Sequence, residues 1–191
     1  MPTARIAIFA SGNGTNAEAI FTYFQGHPSI AVGALFSNNP RAYVLQRAQR
    51  HSIPTVVFSR TDFYETTKVI DLLAELEITH IVLAGFLWLL PPAIVAAFPA
   101  RIINIHPALL PKYGGKGMYG SRVHEAVKAS GDRLTGITIH EVTENYDDGP
   151  LIFSATCDVN PEDSPEEIAG KVHVLEHMHY PRIIEKWINN A

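Results

Sequence analysis

Five short apolar runs, the first four each followed by a segment with helical markings, set the narrowest limit on how this chain can fold. They are "RIAIFA" (5–10), "IAVGALFSNN" (30–39), "TVVF" (55–58), "HIVLAGF" (80–86) and "RIINIH" (101–106). Their apolar character is nearly continuous, as in strands buried on both faces of a parallel sheet. The segments between them fit: a helix from about Asn16 to Gln25, a crossover near Tyr43 to His51, and a helix from Asp62 to Glu77. "PPAIVAAF" then opens on prolines suited to a first helical turn. Strands and helices alternating at this length imply parallel βαβ units. The expected fold class is α/β, a Rossmann-like, mostly parallel sheet with helices on both faces.

The last third changes character. "GITIHEVT" (136–143) and "GPLIFSATCDV" (149–159) read as strands joined by the turn-rich "ENYDD". In "SPEEIAGKV", Ser164 can cap a helix, Pro165 suits its first position and Glu167 completes a capping box. That helix is expected to run to about His179, where Pro181 disturbs it, and "RIIEKWI" resumes the pattern. There is no repeat, low-complexity tract or linker, so residues 1–191 are read as a single domain.

Composition narrows the function. A net charge of −4 over 191 residues leaves no basic surplus for nucleic-acid phosphates, so small-molecule substrates are expected rather than DNA or RNA. Cys157 is the only cysteine, which excludes an intrachain disulfide and a cysteine zinc site. The first apolar run is too short for a signal peptide or membrane span, so the chain reads as cytoplasmic, with no membrane partner. The Asn13-Gly14-Thr15 sequon is then a coincidence of composition. A monomer or homodimer is the expected assembly.

"SGNGTN" (11–16) lies between the first strand and the first helix. Gly12 and Gly14 permit a tight turn, and the helix N-terminus offers unpaired N–H groups to an anion. The dinucleotide fingerprint is incomplete: the second strand ends in Ser37-Asn38-Asn39, without a carboxylate, and a P-loop lysine is missing. Phosphate binding without a dinucleotide accounts for the loop, and so does a plain capped turn.

Asn104 and His106 stand two apart at the C-terminal end of the fifth strand, so both point to one side, where open α/β sheets place their ligand crevice. An Asn amide can donate to a carbonyl oxygen as it becomes an oxyanion, and a His can move a proton near neutral pH. A solvated strand end is the plainer account. A carboxylate near His106 would raise its pKa and favour the charged ring; "ENYDDGP" supplies Asp147 and Asp148, although Asp-Asp-Gly-Pro is also an ordinary turn.

"SGNGTN", "VLAGFLWLL", "NIHPALLPKY", "TENYDDGP" and "LEHMHYP", in this order and spacing, resemble the folate-dependent phosphoribosylglycinamide formyltransferases over essentially the whole chain. The resemblance implies transfer of a formyl group from 10-formyltetrahydrofolate, as co-substrate, to the glycyl amine of 5-phosphoribosylglycinamide in purine biosynthesis, with no metal. It implies that Asn104, His106 and Asp147 are catalytic, and that Gly14, Thr15, Asn16, His173 and Glu176 hold the ribonucleotide. It places the folate against Leu87, Trp88, Leu89, Leu90, Asn104 and the loop from Val142 to Asp147. Trp88 replaces an arginine common in the family, and His173 a common glutamine. The segment "YGGKGMYGSRVHEAV" (113–127) is longer than the usual loop and leaves His124 without a role.

The resemblance also implies direct attack by the amine, with Asn104 and protonated His106 stabilising the oxyanion and Asp147 orienting the imidazole. Rivals remain. "HVLEH" (173–177) matches the H-x-x-E-H signature of inverted zinc peptidases, with Glu185 as the acidic candidate for a third ligand. A formyltetrahydrofolate hydrolase, or a formyltransferase acting on initiator methionyl-tRNA, shares the fold; each is expected to carry a further domain. A non-catalytic nucleotide-binding module would explain the glycine loop but not Asn104 and His106.

Overall fold

The computed structural model describes residues 3–190. Seven strands form one sheet in the order β3-β2-β1-β4-β5-β6-β7. The first five, β1 (Ala4–Phe9), β2 (Ile30–Ser37), β3 (Thr55–Val57), β4 (His80–Leu83) and β5 (Ile102–His106), pair in parallel. Strands β6 (Leu134–Glu141) and β7 (Leu151–Asp158) add an antiparallel hairpin beside β5. Chain order reverses between β1 and β4, and at such a switch point the loops leaving neighbouring strands diverge and open a crevice.

Alternation along the strands sends side chains into two cores. Ile6, Ile8, Val82, Ile103 and Ile105 pack with α1 (Thr15–Phe24) and with Tyr180, Ile184 and Trp187 of α7 (Pro165–Asn189). Ala7, Phe9, Ile81, Leu83 and Ile102 pack on the other face with residues of α3 (Arg60–Tyr64), α4 (Lys68–Glu75) and α5 (Pro92–Ala97). Fully burying an Ile or Leu side chain is worth roughly 1.5–3 kcal/mol, so the two cores fix the register of β5 and with it the aim of its polar residues. Helix α2 (Val44–Arg50) completes the crossover from β2 to β3.

Three expectations need correction. The helix expected over 62–77 is two helices, α3 and α4. Ser59 and Asp62 form a capping box, and the Thr66 hydroxyl then donates to the Asp62 carbonyl (3.1 Å), a local bond that competes with a continuous helix. Helix α7 runs unbroken through Pro181. Tyr180, Pro181, Ile184 and Trp187 are all buried, and the Tyr180 hydroxyl donates to the Leu83 carbonyl (2.8 Å), so packing outweighs the lost backbone donor. Residues 121–127, read as part of a long loop, belong to helix α6 (Ser121–Ser130), which buries Val123, His124 and Val127 and ends at Gly131 in the left-handed region (φ 72°).

Candidate active site

Three loops leave the C-terminal ends of β1, β4 and β5 on the same side of the sheet. After β1, Gly14 takes φ 78° and caps α1; a Cβ there would also overlap Val44. Glycine is thus required twice, by the backbone and by the approach of α2. Arg47 holds the loop from outside, donating to the Asn13 carbonyl (2.8 Å) and to Asn13 Oδ1 (2.7 Å). Ser11 ties it to the loop after β4, because its N–H donates to the Gly85 carbonyl (3.1 Å) and its Oγ accepts from Leu87 N–H (3.0 Å).

On β5, Asn104 stands beside Leu83 of β4 and His140 of β6, and His106 beside Thr138. His140 Nδ1 lies 2.7 Å from the Glu141 carbonyl, which can only accept, so Nδ1 carries the proton. Nε2 is then left to accept from Asn104 Nδ2 (3.1 Å). The second hydrogen of that amide meets Asp147 Oδ1 at 3.5 Å, a loose contact. Asp147 comes from the β6–β7 loop in a left-handed backbone conformation (φ 52°), with Oδ2 accepting from Gly115 N–H (2.9 Å) and 3.5 Å from His106 Nδ1. Gly149 lets this loop close over β6, since any Cβ there would overlap the Glu141 carbonyl. The structure therefore brings Asn104, His106 and Asp147 together and adds His140 as a fourth member.

Charge in this cluster departs from the expectation in one respect. Burial pulls the His106 pKa below its ordinary value of 6.5; Asp147 and the Tyr113 carbonyl push it upward but do not win. His106 is 4% exposed, so the cost of desolvating the imidazolium exceeds the pull of the carboxylate. Burial tends to raise the Asp147 pKa, but the neighbouring His140 and His106 rings and the hydrogen bond from Gly115 N–H outweigh it, and the carboxyl sits below its ordinary 3.8. His106 Nε2 donates to the Tyr113 carbonyl (2.7 Å). Tyr113, itself left-handed (φ 63°), opens the flap of residues 113–120, which is anchored rather than loose: its hydroxyl and Lys112 Nζ both reach Asp132 Oδ2 at 2.6 Å.

These loops surround a cleft of about 740 Å³ that contains every site residue expected from the sequence. The sequence profile described as Formyl transferase matches residues 4–184. This chain belongs to the formyl transferase family. It is 38% identical over 186 residues to the chloroplastic phosphoribosylglycinamide formyltransferase of Arabidopsis thaliana, covering 94% of this chain and 64% of that protein. It is 35% identical over 187 residues to the Bacillus subtilis phosphoribosylglycinamide formyltransferase, covering 95% and 93%. The chain spans less than two thirds of the plant proteins it matches, 64% for Arabidopsis thaliana and 60% for Vigna unguiculata. The crystal structure of the Anaplasma phagocytophilum phosphoribosylglycinamide formyltransferase superposes with a TM-score of 0.85 at 33% identity, over 95% of this chain and 85% of that one. The Coxiella burnetii structure gives 0.84 at 40%, over 96% and 86%.

In this family member the two ends of the cleft differ in chemistry. Leu87 is 45% exposed, while Leu90 is 2% exposed and belongs to the core beneath it. Trp88 packs among Phe58, Phe63, Tyr64 and Phe86, with the Arg60 guanidinium over its ring (5.7 Å), so this wall is apolar and aromatic. At the other end Thr15 and Asn16 begin α1, and Glu176 rises from α7. Burial lifts the Glu176 pKa to about 7 against a lowering hydrogen bond from Asn16. His173 stands half-exposed one turn before it, its pKa lowered by partial desolvation.

The H-x-x-E-H reading finds no support in this geometry. The rings of His173 and His177 stack with centroids 6.3 Å apart, and Glu185 is held by Tyr23 and His27. Among the described residues no group of three or more His, Cys, Asp or Glu side chains is placed to hold a metal ion. Sequence reasoning missed His140, Tyr113, Gly115, Ser11 and Arg47. For His140 a signal existed, a lone polar ring inside the apolar "GITIHEV"; the Tyr113 carbonyl and Gly115 N–H are backbone atoms that carry no residue signature, and Ser11 and Arg47 meet their partners only through tertiary packing.

Proposed function

We propose that this protein transfers the formyl group of 10-formyltetrahydrofolate to the glycyl amine of 5-phosphoribosylglycinamide. The observation that carries the reading is the convergence of Asn104, His106 and Asp147 in a cleft with an apolar, aromatic wall at one end and a helix N-terminus at the other. The pterin suits the wall from Leu87 to Leu90 and the loop from Val142 to Asp147. The phosphate suits Gly14, Thr15 and Asn16, where helix N–H groups are unpaired, and the ribose hydroxyls suit Glu176 with His173. The names of the family's relatives support the same substrates.

Chemically, the amine nitrogen attacks the formyl carbon, and its carbonyl oxygen becomes an oxyanion. Asn104 can donate the hydrogen it holds only loosely toward Asp147. Burial discharges His106 in the resting site, but an oxyanion beside it adds to Asp147 in favouring the charged ring. The ring can then donate to the oxygen from Nε2 once the Tyr113 carbonyl gives way. The carbon–nitrogen bond to the folate breaks as the amine loses a proton and the folate nitrogen gains one. Neither a covalent enzyme intermediate nor a metal is needed.

The test is absorbance turnover of 10-formyltetrahydrofolate with and without the ribonucleotide. Formation of formylated ribonucleotide at the rate of folate consumption is expected. Folate consumption that ignores the ribonucleotide would make the protein a hydrolase and overturn the proposal.

A further inference from the structure

His124 is the most completely buried polar group of the cleft that the proposed reaction leaves unused. It sits one turn into α6, is 4% exposed, and none of its ring atoms hydrogen-bonds within the protein. Its Nδ1 is sealed from solvent without a partner, whereas Nε2 is not so sealed, and the residue lines the cleft. Three elements face it. His106 approaches from β5, and His173 of α7 lies edge-on with ring centroids 6.4 Å apart. Glu176 and His177 stand behind His173, and Lys116 of the flap and Asp147 share the same cavity.

Connectivity gives the position of the ring in the cleft. His173 lies 3.9 Å from Glu176, and Asn16 at the start of α1 is near enough to the Glu176 carboxyl to lower its pKa. His124, His173, Glu176 and Asn16 therefore form a continuous wall from α6 through α7 to the glycine loop. Burial, His173 and His106 push the His124 pKa down to about 4, so the ring is uncharged at neutral pH and has one N–H. A proton on sealed Nδ1 would have no acceptor, so it belongs on Nε2, where an acceptor in the cleft can meet it.

We propose that His124 is a further ribonucleotide-binding residue, whose Nε2–H donates to an oxygen of the ribose phosphate. The inference rests on the ribonucleotide reading of this end of the cleft. Carbon packing could be supplied by any apolar side chain of that size, and a buried ring with an unmatched nitrogen is a poor choice for packing alone. The role is selective: His124 adds affinity for the sugar-phosphate and none for folate.

The experiment uses ribose 5-phosphate as probe and follows the His124 ring resonances by NMR, alongside steady-state kinetics of His124→Phe and His124→Gln. Expected are a ligand-dependent shift of the His124 ring signals, and a KM for the ribonucleotide about tenfold higher in His124→Phe, the loss of roughly 1.4 kcal/mol that one hydrogen bond to a charged group supplies. The KM for 10-formyltetrahydrofolate should not change, and His124→Gln, which keeps a donor, should recover part of the affinity. Unmoved ring signals at saturating ribose 5-phosphate would overturn the inference even if neither variant folds. Equal rises in both KM values would overturn it too, since they mark a structural role. A shifted ring in a protein that does not formylate the ribonucleotide would leave His124 in place and remove the formyl-transfer reading.

Discussion

The two ends of the cleft, proposed here to be catalytic and to hold the ribonucleotide, solve opposite problems. Around Asn104 and His106 the protein matches donors to acceptors: His140 has Glu141, Asn104 has His140, Asp147 has Gly115, and His106 has Tyr113. At the other end, Asn16 Oδ1 is buried without a partner, the His124 ring makes no hydrogen bond and turns Nε2 to the cleft, and burial holds Glu176 near pKa 7. Polar groups matched in advance cost no reorganisation when charge develops, which suits a transition state. Unmatched ones lower the stability of the empty protein and favour a ligand that can pair with them. The contrast separates variants that should damage turnover from variants that should damage binding.

The largest expected effect is at the catalytic end. Asn104→Ala or His106→Ala should lower kcat by about a hundredfold to a thousandfold, the loss of roughly 2.7–4 kcal/mol seen when one oxyanion donor is removed. Ribonucleotide affinity by calorimetry should stay close to that of the parent protein. Near-normal turnover by a folded His106→Ala variant would break the division between the two ends.

How much of this was legible in the sequence follows from where each group is carried. The parallel core announced itself through continuous apolar runs, and Asn104 and His106 through their spacing at a strand end. The arrival of Asp147 could not be read that way. It depends on the left-handed conformation at Asp147 and on the closeness of Gly149 to Glu141, both tertiary facts. Family resemblance supplied Asp147 where periodicity could not. The discharge of His106 was misjudged because a sequence shows a nearby carboxylate but not how deeply both groups are buried. Helix α6 hid behind the glycines of the flap, although Val123 and Val127 carry its spacing.

A somewhat smaller effect is expected at the ribonucleotide end, and its sign depends on pH. The folded-state pKa of Glu176 is raised from 4.5 to about 7, so between those values the folded protein holds a proton that the unfolded chain has lost. Stability from this group is therefore present below about pH 4.5, declines as pH rises, and is fully lost above about pH 7. A shift of that size corresponds to on the order of 3 kcal/mol. Glu176→Gln should accordingly raise Tm of the ligand-free protein at pH 8 and change it little at pH 4.5, while weakening ribose 5-phosphate binding. Equal Tm differences at the two pH values would show that Glu176 is not held in the protonated form.

The smallest effect sharpens the contrast, because it perturbs the catalytic end without touching a polar side chain. Gly149→Ala places a methyl group against the Glu141 carbonyl, the same oxygen that accepts from His140 Nδ1. Overlap with backbone cannot be relieved by a rotamer change, so the β6–β7 loop must move away from β6, at about 1–3 kcal/mol of stability. Such a movement carries Asp147 away from His106 and loosens the ring that holds Asn104. Misplacement of that kind is expected to lower kcat by on the order of tenfold to a hundredfold, with the KM for the ribonucleotide little changed. Thermal unfolding and steady-state kinetics on the same preparation measure both parts. Full activity in Gly149→Ala would mean that Asp147 is placed by the Gly115 contact alone, and the matched network would then depend on the flap rather than on the strand beneath it.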